Sequence, residues 1–305
     1  VQSSAFQGIS VAVLGGDDRE LVLISSLANQ GAQVRAVGFP DLSDFPSVKV
    51  LDDPQEAVQG ADVVVLPMPG TDDKGAVYAA YSPKPLVLTT EVLEHIPSGA
   101  LVIIGRARPF LREWAARYGF KLVEIAEEEE MAVLNSIPTA EGAIQLAMQE
   151  LPITLHRSQA FIIGFGRVGQ TLARALRGLG ARVTAVDINP AALARAFEMG
   201  CQPLPAASLA EKIPEAQVIF NTVPDMVLDA QILNRVSREA VIIDLASTPG
   251  GTDFEVAQSL GIRALLAPGL PGKVAPKTAG EMLTRVVLRL IRNHLRSAPS
   301  ARSRR

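Results

Sequence analysis

Residues 159–169 read Gln159-Ala-Phe-Ile-Ile-Gly164-Phe-Gly166-Arg167-Val168-Gly169, an apolar run that ends in G-x-G-x-x-G and passes into a helical pattern. A buried strand, three glycines at this spacing and a helix start together make the fingerprint of a dinucleotide-binding fold. Gly164 permits the tight turn, Gly166 lets the backbone approach a pyrophosphate, and Gly169 allows close packing of helix on strand. The helix N-terminus, with Arg167 and Val168 in its first turn, offers N–H groups and a favourable dipole to the phosphates. Asp187 closes the next apolar run, about 23 positions after Gly164. A carboxylate there accepts hydrogen bonds from both ribose hydroxyls and repels a 2′-phosphate, so the residue favours NAD over NADP.

Outward from this motif, short apolar runs alternate with helical patterns in both halves of the chain. After the fingerprint, strands are predicted at 182–186, 217–221, 240–244 and 262–266, with helices near 167–179, 190–199 and 252–260. Before it, strands are predicted at 9–14, 33–38, 61–66, 101–104 and 121–125, with helices near 18–29 and 109–118. Such alternation favours right-handed crossovers and a parallel sheet covered on both faces. The predicted fold is α/β, with two doubly wound parallel-sheet domains. Residues 1–150 form a flavodoxin-like domain and its connecting helix, and residues 151–276 form a Rossmann domain. Residues 277–305 supply a long helix that packs back on the first domain and a disordered Arg-rich tail. Pro138 suits the first turn of the connecting helix, with Asn135 or Ser136 as its cap. The acidic run Glu127–Glu130 reads as a solvated surface segment.

Composition narrows the chemistry. The chain has 305 residues, 48% of them hydrophobic, a formal net charge of −3, three histidines and one cysteine. At roughly 100–200 residues per domain, that length suits two domains. Cys201 alone cannot form an internal disulfide or a Cys-rich zinc site, and His95, His156 and His294 are too scattered for a metal centre. The charge gives no reason to expect nucleic acid as a partner. No apolar run reaches about 18 residues, and the N-terminus lacks the regions of a signal peptide. A soluble, cytoplasmic protein is expected, working without metal or thiol.

Ligands in open α/β sheets gather beyond the carboxyl ends of the strands. Asn221-Thr222-Val223-Pro224, Asp244 to Ser247, and the turn with Pro268-Gly269 all follow strand ends and are therefore predicted to line the nicotinamide and ribose side. The turn Gly15-Gly16 lacks the full fingerprint, and no acidic residue ends the following strand. It is read as structural.

Several stretches carry a more specific resemblance: Val11-Ala-Val-Leu-Gly-Gly-Asp17, Asn135-Ser-Ile-Pro-Thr139 with Glu141-Gly142, Asp244-Leu-Ala-Ser247, Pro249-Gly-Gly-Thr-Asp-Phe254, and Ala267-Pro-Gly-Leu-Pro-Gly272 with Ala275-Pro-Lys-Thr-Ala-Gly280. Over residues 8–295 the chain resembles the A subunits of dipicolinate synthases. The resemblance implies oxidation of a dihydrodipicolinate to pyridine-2,6-dicarboxylate in the mother cell of a sporulating bacterium. It also implies a flavoprotein partner, the B subunit of dipicolinate synthase, and an oligomeric assembly. Some relatives carry a basic residue near the end of the strand that Asp187 closes here, which leaves both NAD and NADP in play.

A dihydropyridine dicarboxylate becomes aromatic by losing a hydride and a proton, so positioning and a hydride acceptor matter more than a strong acid–base pair. Its carboxylates call for donors, and the candidates are Arg106 or Arg108, Lys277, Ser136 and Thr139, with Glu141 as a possible proton acceptor. Two alternatives stand beside this reading. A D-2-hydroxyacid dehydrogenase needs a late histidine paired with a carboxylate, whereas His294 falls inside the terminal helix pattern and His156 reads as structural. A non-catalytic protein that binds NAD for regulation is the other.

Overall fold

A computed structural model describes residues 5–297. The chain up to Ala132 forms one compact unit with the segment from Pro276 onward, and Val133–Ala275 forms a second. Of the tail expected to be disordered, Ser297 closes the last helix, and residues 298–305 lie outside the described residues.

The first unit contains β1 (Ser10–Leu14), β2 (Gln33–Val37), β3 (Val48–Leu51), β4 (Val63–Val65), β5 (Ala76–Val77), β6 (Leu86–Val87), β7 (Leu101–Ile104) and β8 (Lys121–Glu124). β5 and β6 pair as a short antiparallel ribbon. The other six form a parallel sheet in the order β3-β2-β1-β4-β7-β8. This corrects the flavodoxin-like expectation. The five strands legible in the sequence, laid side by side, give the flavodoxin order 2-1-3-4-5. The edge strand β3 adds outside β2 and turns it into 3-2-1-4-5-6, the order of dinucleotide-binding sheets.

The second unit holds β9 (Gln159–Ile163), β10 (Arg182–Asp187), β11 (Gln202–Pro205), β12 (Val218–Asn221), β13 (Val241–Asp244) and β14 (Arg263–Leu266). All pair in parallel, in the order β11-β10-β9-β12-β13-β14. β11 also escaped the sequence reading, because Pro203 and Pro205 argue against a strand. An edge position tolerates them, since one side of the strand makes no ladder bonds. The central strands bury both faces, as a doubly covered parallel sheet requires: Val11–Leu14 and Ala160–Ile163 are all buried.

The connecting helix is one element, Glu129–Glu150, with Pro138 in its interior. This corrects the predicted cap at Asn135 or Ser136. Proline supplies no N–H to the preceding turn, and neighbouring hydroxyls bond the carbonyls around the gap. Ser136 Oγ donates to the Val133 carbonyl at 2.6 Å, and Thr139 Oγ1 to the Asn135 carbonyl at 2.7 Å.

The last helix, Pro276–Ser297, belongs to the first unit and packs on the Asp18–Asn29 helix. At Gly280 a Cβ would lie 2.9 Å from Val22 Cβ and 3.0 Å from Arg19 Cα, so the two helices approach closely there. The acidic run is not simply solvated. Arg289 bonds Glu128 at 2.6 Å and Glu130 at 2.8 Å, and Arg285 bonds Glu130 at 2.8 Å, tying the last helix to the start of Glu129–Glu150.

Candidate functional site

The carboxyl end of β9 opens directly into the glycine turn, and its three glycines do different work. Gly164 has φ +87°, a conformation that strains any L side chain, and a Cβ there would overlap Thr222 Oγ1. At Gly169 a Cβ would overlap the Gly164 carbonyl oxygen, so this residue sets the contact of helix on strand. At Gly166 a Cβ would meet no atom within 4 Å. Gly166 is also the N-cap of the Arg167–Gly178 helix, and no side chain caps that end. Open space in front of uncapped N–H groups suits a pyrophosphate, and a side chain at position 166 would fill it.

Asp187, at the end of β10, completes this side. Its Oδ2 accepts from Phe165 N–H at 2.7 Å and its Oδ1 from Asn189 N–H at 2.8 Å. Each oxygen keeps acceptor capacity for a ribose hydroxyl. The carboxylate faces a cavity of about 400 Å³ lined by Phe165, Gly166, Gln170, Asn189 and Arg195 among others. The sequence reading missed these lining residues except Gly166. The Asn189-Pro190 pair was a legible signal, because Asn189 caps the Pro190–Glu198 helix through Ala191 N–H.

Across β9 from Asp187, the loops after β12, β13 and β14 occupy the same carboxyl edge. Thr222 Oγ1 shares its proton between the Ile163 and Gly164 carbonyls, at 3.0 and 3.1 Å. Val223 is half-buried, and Pro224, Ser247, Pro268 and Gly269 are exposed. Asn221 and Asp244 are fully buried and face one another in register. Their side chains bond each other and the adjacent loops, so they do not present free groups to a ligand.

Among the described residues, the first unit has no comparable cradle. Gly16 N–H bonds the Tyr78 carbonyl at 2.8 Å, and Ala80 N–H bonds the Gly16 carbonyl at 2.8 Å. The segment around Tyr78 therefore fills the turn where a phosphate would lie. The following helix is closed by a capping box, with the Asp17 carboxylate on Arg19 N–H and Glu20 Oε2 on Asp17 N–H. Burial pushes the Glu20 carboxyl up to about 7.

Comparison with known proteins matches residues 10–126 to the N-terminal domain of the dipicolinate synthase A subunit and residues 139–302 to the alanine dehydrogenase/PNT C-terminal domain. The dipicolinate synthase A subunit of Bacillus subtilis (strain 168) is 40% identical over 285 residues, covering 93% of this chain and 96% of that one. The chain belongs to the family of dipicolinate synthase A subunits. The crystal structure of a family member from Bacillus halodurans superposes with a TM-score of 0.90 at 38% identity, covering 94% of this chain and 98% of that one. The family member from Bacillus subtilis gives 0.89 at 39% identity, covering 96% and 99%. The alanine dehydrogenase/PNT match assigns the second unit to a nicotinamide-dinucleotide-binding domain type.

Within this family member, the candidate substrate residues part company. Arg106 follows β7 at the carboxyl edge of the first sheet, exposed and without a hydrogen bond or ion pair among the described residues. Lys277, equally unpaired, opens the Pro276–Ser297 helix one turn before Gly280, which rests on Arg19 beside the carboxyl end of β1. Arg108 is engaged, its Nε bonding the Thr71 carbonyl at 3.1 Å and its Nη1 lying 3.5 Å from Asp73.

Ser136 is buried, and with its proton on Val133 it accepts from Thr171 Oγ1 at 2.7 Å. Thr139 is turned onto its own helix. Glu141 lines a shallow apolar groove with Ile144, Met148, Ala175 and Leu179, beyond the first turns of the Arg167–Gly178 helix. His156 precedes β9 at the amino edge of its sheet, against Gly180. His294 lies near Lys121, Asp62 and the Gly99 backbone, at the amino edge of the first sheet, and burial pushes its pKa down. Among the described residues, no group of three or more His, Cys, Asp or Glu side chains could hold a metal, and no helix is long and apolar enough to cross a membrane.

Proposed function

We propose that this chain binds NAD along the carboxyl edge of its second sheet and oxidises a dihydrodipicolinate to dipicolinate, together with a flavoprotein partner, in the mother cell of a sporulating bacterium. The observation that carries the cofactor assignment is the open face at Gly166 beside a carboxylate at Asp187. Gly164 and Gly169 shape the turn, and the uncapped N–H groups of the Arg167–Gly178 helix hold the pyrophosphate. Asp187 accepts the ribose hydroxyls and disfavours a 2′-phosphate, which selects NAD over NADP.

The bound nicotinamide supplies a hydride acceptor. The chain's own residues bind and orient the dicarboxylate. Arg106, just after β7, and Lys277, in the first turn of the Pro276–Ser297 helix, are exposed cations that make no ion pair among the described residues, and an arginine fork suits a carboxylate. Ser136, Thr139 and Glu141 play no part in this reading, because two hydroxyls are spent inside the helix and the carboxylate lies in an apolar groove. Aromatisation drives loss of the ring hydride, and the proton leaves to solvent. His156 and His294 both sit at amino edges, which speaks against hydroxyacid dehydrogenation through a His–carboxylate pair.

The test is direct. Dihydrodipicolinate is generated enzymatically and mixed with the purified chain, with and without its flavoprotein partner, and with NAD or NADP. Growth of the ultraviolet absorbance of pyridine dicarboxylate is expected with NAD. No product under any pairing refutes the enzymatic reading and leaves a regulatory NAD-binding protein.

A further inference from the structure

The buried carboxylate of Asp244 has four hydrogen-bond donors and no cation among them. Its Oδ1 accepts from Ala246 N–H at 3.0 Å. Its Oδ2 accepts from Asn221 Nδ2 at 3.0 Å, Gly251 N–H at 2.9 Å and Thr252 Oγ1 at 2.6 Å. Asn221 extends the network, donating to the Val223 carbonyl at 2.9 Å and accepting from Val223 N–H at 3.0 Å. Gly251 fits against this lattice so tightly that a Cβ would overlap the Val223 and Asp225 carbonyls. One carboxylate thus fastens the loop after β12 to the loop after β13.

A fully buried charge is a costly way to stabilise a fold, since well-packed apolar groups do the same with no desolvation penalty. It is a good way to hold two loops in one arrangement, because each donor left without the acceptor is penalised. What these loops serve follows from their place. Asp187 assigns the adenosine half of a dinucleotide to the β10 side of the glycine turn. A dinucleotide spans the point where strand order reverses, so its other half falls at the ends of β12 and β13.

We infer that Asp244 is a positioning residue that shapes the receiving surface for the nicotinamide half and touches no cofactor atom itself. The inference rests on the dinucleotide-binding reading above. It accounts for a polar cluster that would otherwise count as ligand contacts, and it separates the two halves of the site energetically.

Isothermal titration of the full chain with ADP-ribose and with NAD tests it, because ADP-ribose lacks only the nicotinamide. Wild type binds NAD more tightly than ADP-ribose. In Asp244→Asn, ADP-ribose affinity stays within about 3-fold of wild type while the preference for NAD shrinks roughly 10-fold or more. Thr252→Val removes one donor and keeps the carboxylate, so it shifts the preference the same way by less, and it carries the test if Asp244→Asn fails to fold. The exchanged pair Asn221→Asp with Asp244→Asn keeps an amide facing a carboxylate and restores part of the preference. Parallel loss of both ligands, an unchanged preference, or a wild type that binds the two equally overturns the inference. A wild type that binds neither ligand overturns the dinucleotide reading instead.

Discussion

Phe165 and Asp187 are 22 residues apart in sequence, yet the N–H of the first holds the carboxylate of the second at 2.7 Å. The contact aligns the proposed ribose-reading group with the turn proposed to receive the phosphates. Asp187→Ala is therefore expected to weaken NAD by roughly 10- to 100-fold, the worth of one or two charge-assisted hydrogen bonds. NADP should change far less. Fluorescence titration with both cofactors measures the two losses, and equal losses would show that Asp187 does not read the ribose.

The glycines of the turn predict opposite phenotypes. Gly166→Val should leave the thermal midpoint nearly unchanged, because its first side-chain atom meets open space, while abolishing dinucleotide binding. Gly169→Ala should instead lower stability by about 1–3 kcal/mol or more, since its Cβ overlaps the Gly164 carbonyl. Thermal unfolding paired with NAD titration separates the two. A Gly166→Val chain that still binds NAD would contradict the cradle.

Glu20 gives a pH signature. Burial raises its pKa from 4.5 to about 7, so the folded chain holds a proton that the unfolded chain releases earlier. The stabilisation is fully present below pH 4.5 and is lost as pH rises through about 7. Its size is up to about 3 kcal/mol. Between pH 5 and pH 8.5 the denaturant midpoint should fall further in wild type than in Glu20→Gln. Equal falls would mean that Glu20 does not titrate in this range.

Arg106→Ala should raise the KM for the dicarboxylate by roughly 10-fold or more and leave NAD affinity intact, with Arg106→Lys recovering part of the loss. Lys277→Ala should act in the same direction and more weakly, as a single flexible point charge does. The product-absorbance assay at varied substrate reports both. Unchanged KM in both variants would remove these cations from the substrate's path.

What the sequence made legible was what local pattern can encode. The three glycines with Asp187, and the Asp18–Asn29 and Pro109–Tyr118 helices, each announce themselves within a few neighbouring residues. The edge strands Val48–Leu51 and Gln202–Pro205 did not, because a four-residue strand with one side unpaired needs neither strict alternation nor freedom from proline. The first of them sets the strand order of a whole sheet. Pro138 misled in another way: its local preference for a helix start was overridden by a helix already running from Glu129. Asn221 and Asp244 were correctly placed at strand ends, but periodicity does not reveal that a polar side chain points inward and is saturated there.

Two sheets of identical strand order invite the assumption of two equivalent ligand sites. The Tyr78 segment answers it by lying across Gly16 in the first unit, where main-chain bonds replace the ones a phosphate would make. The stoichiometry in calorimetry should accordingly be one dinucleotide per chain. Any cooperativity between cofactor molecules would then have to arise between chains, since among the described residues the open glycine turn stands in the second unit and its counterpart in the first is filled.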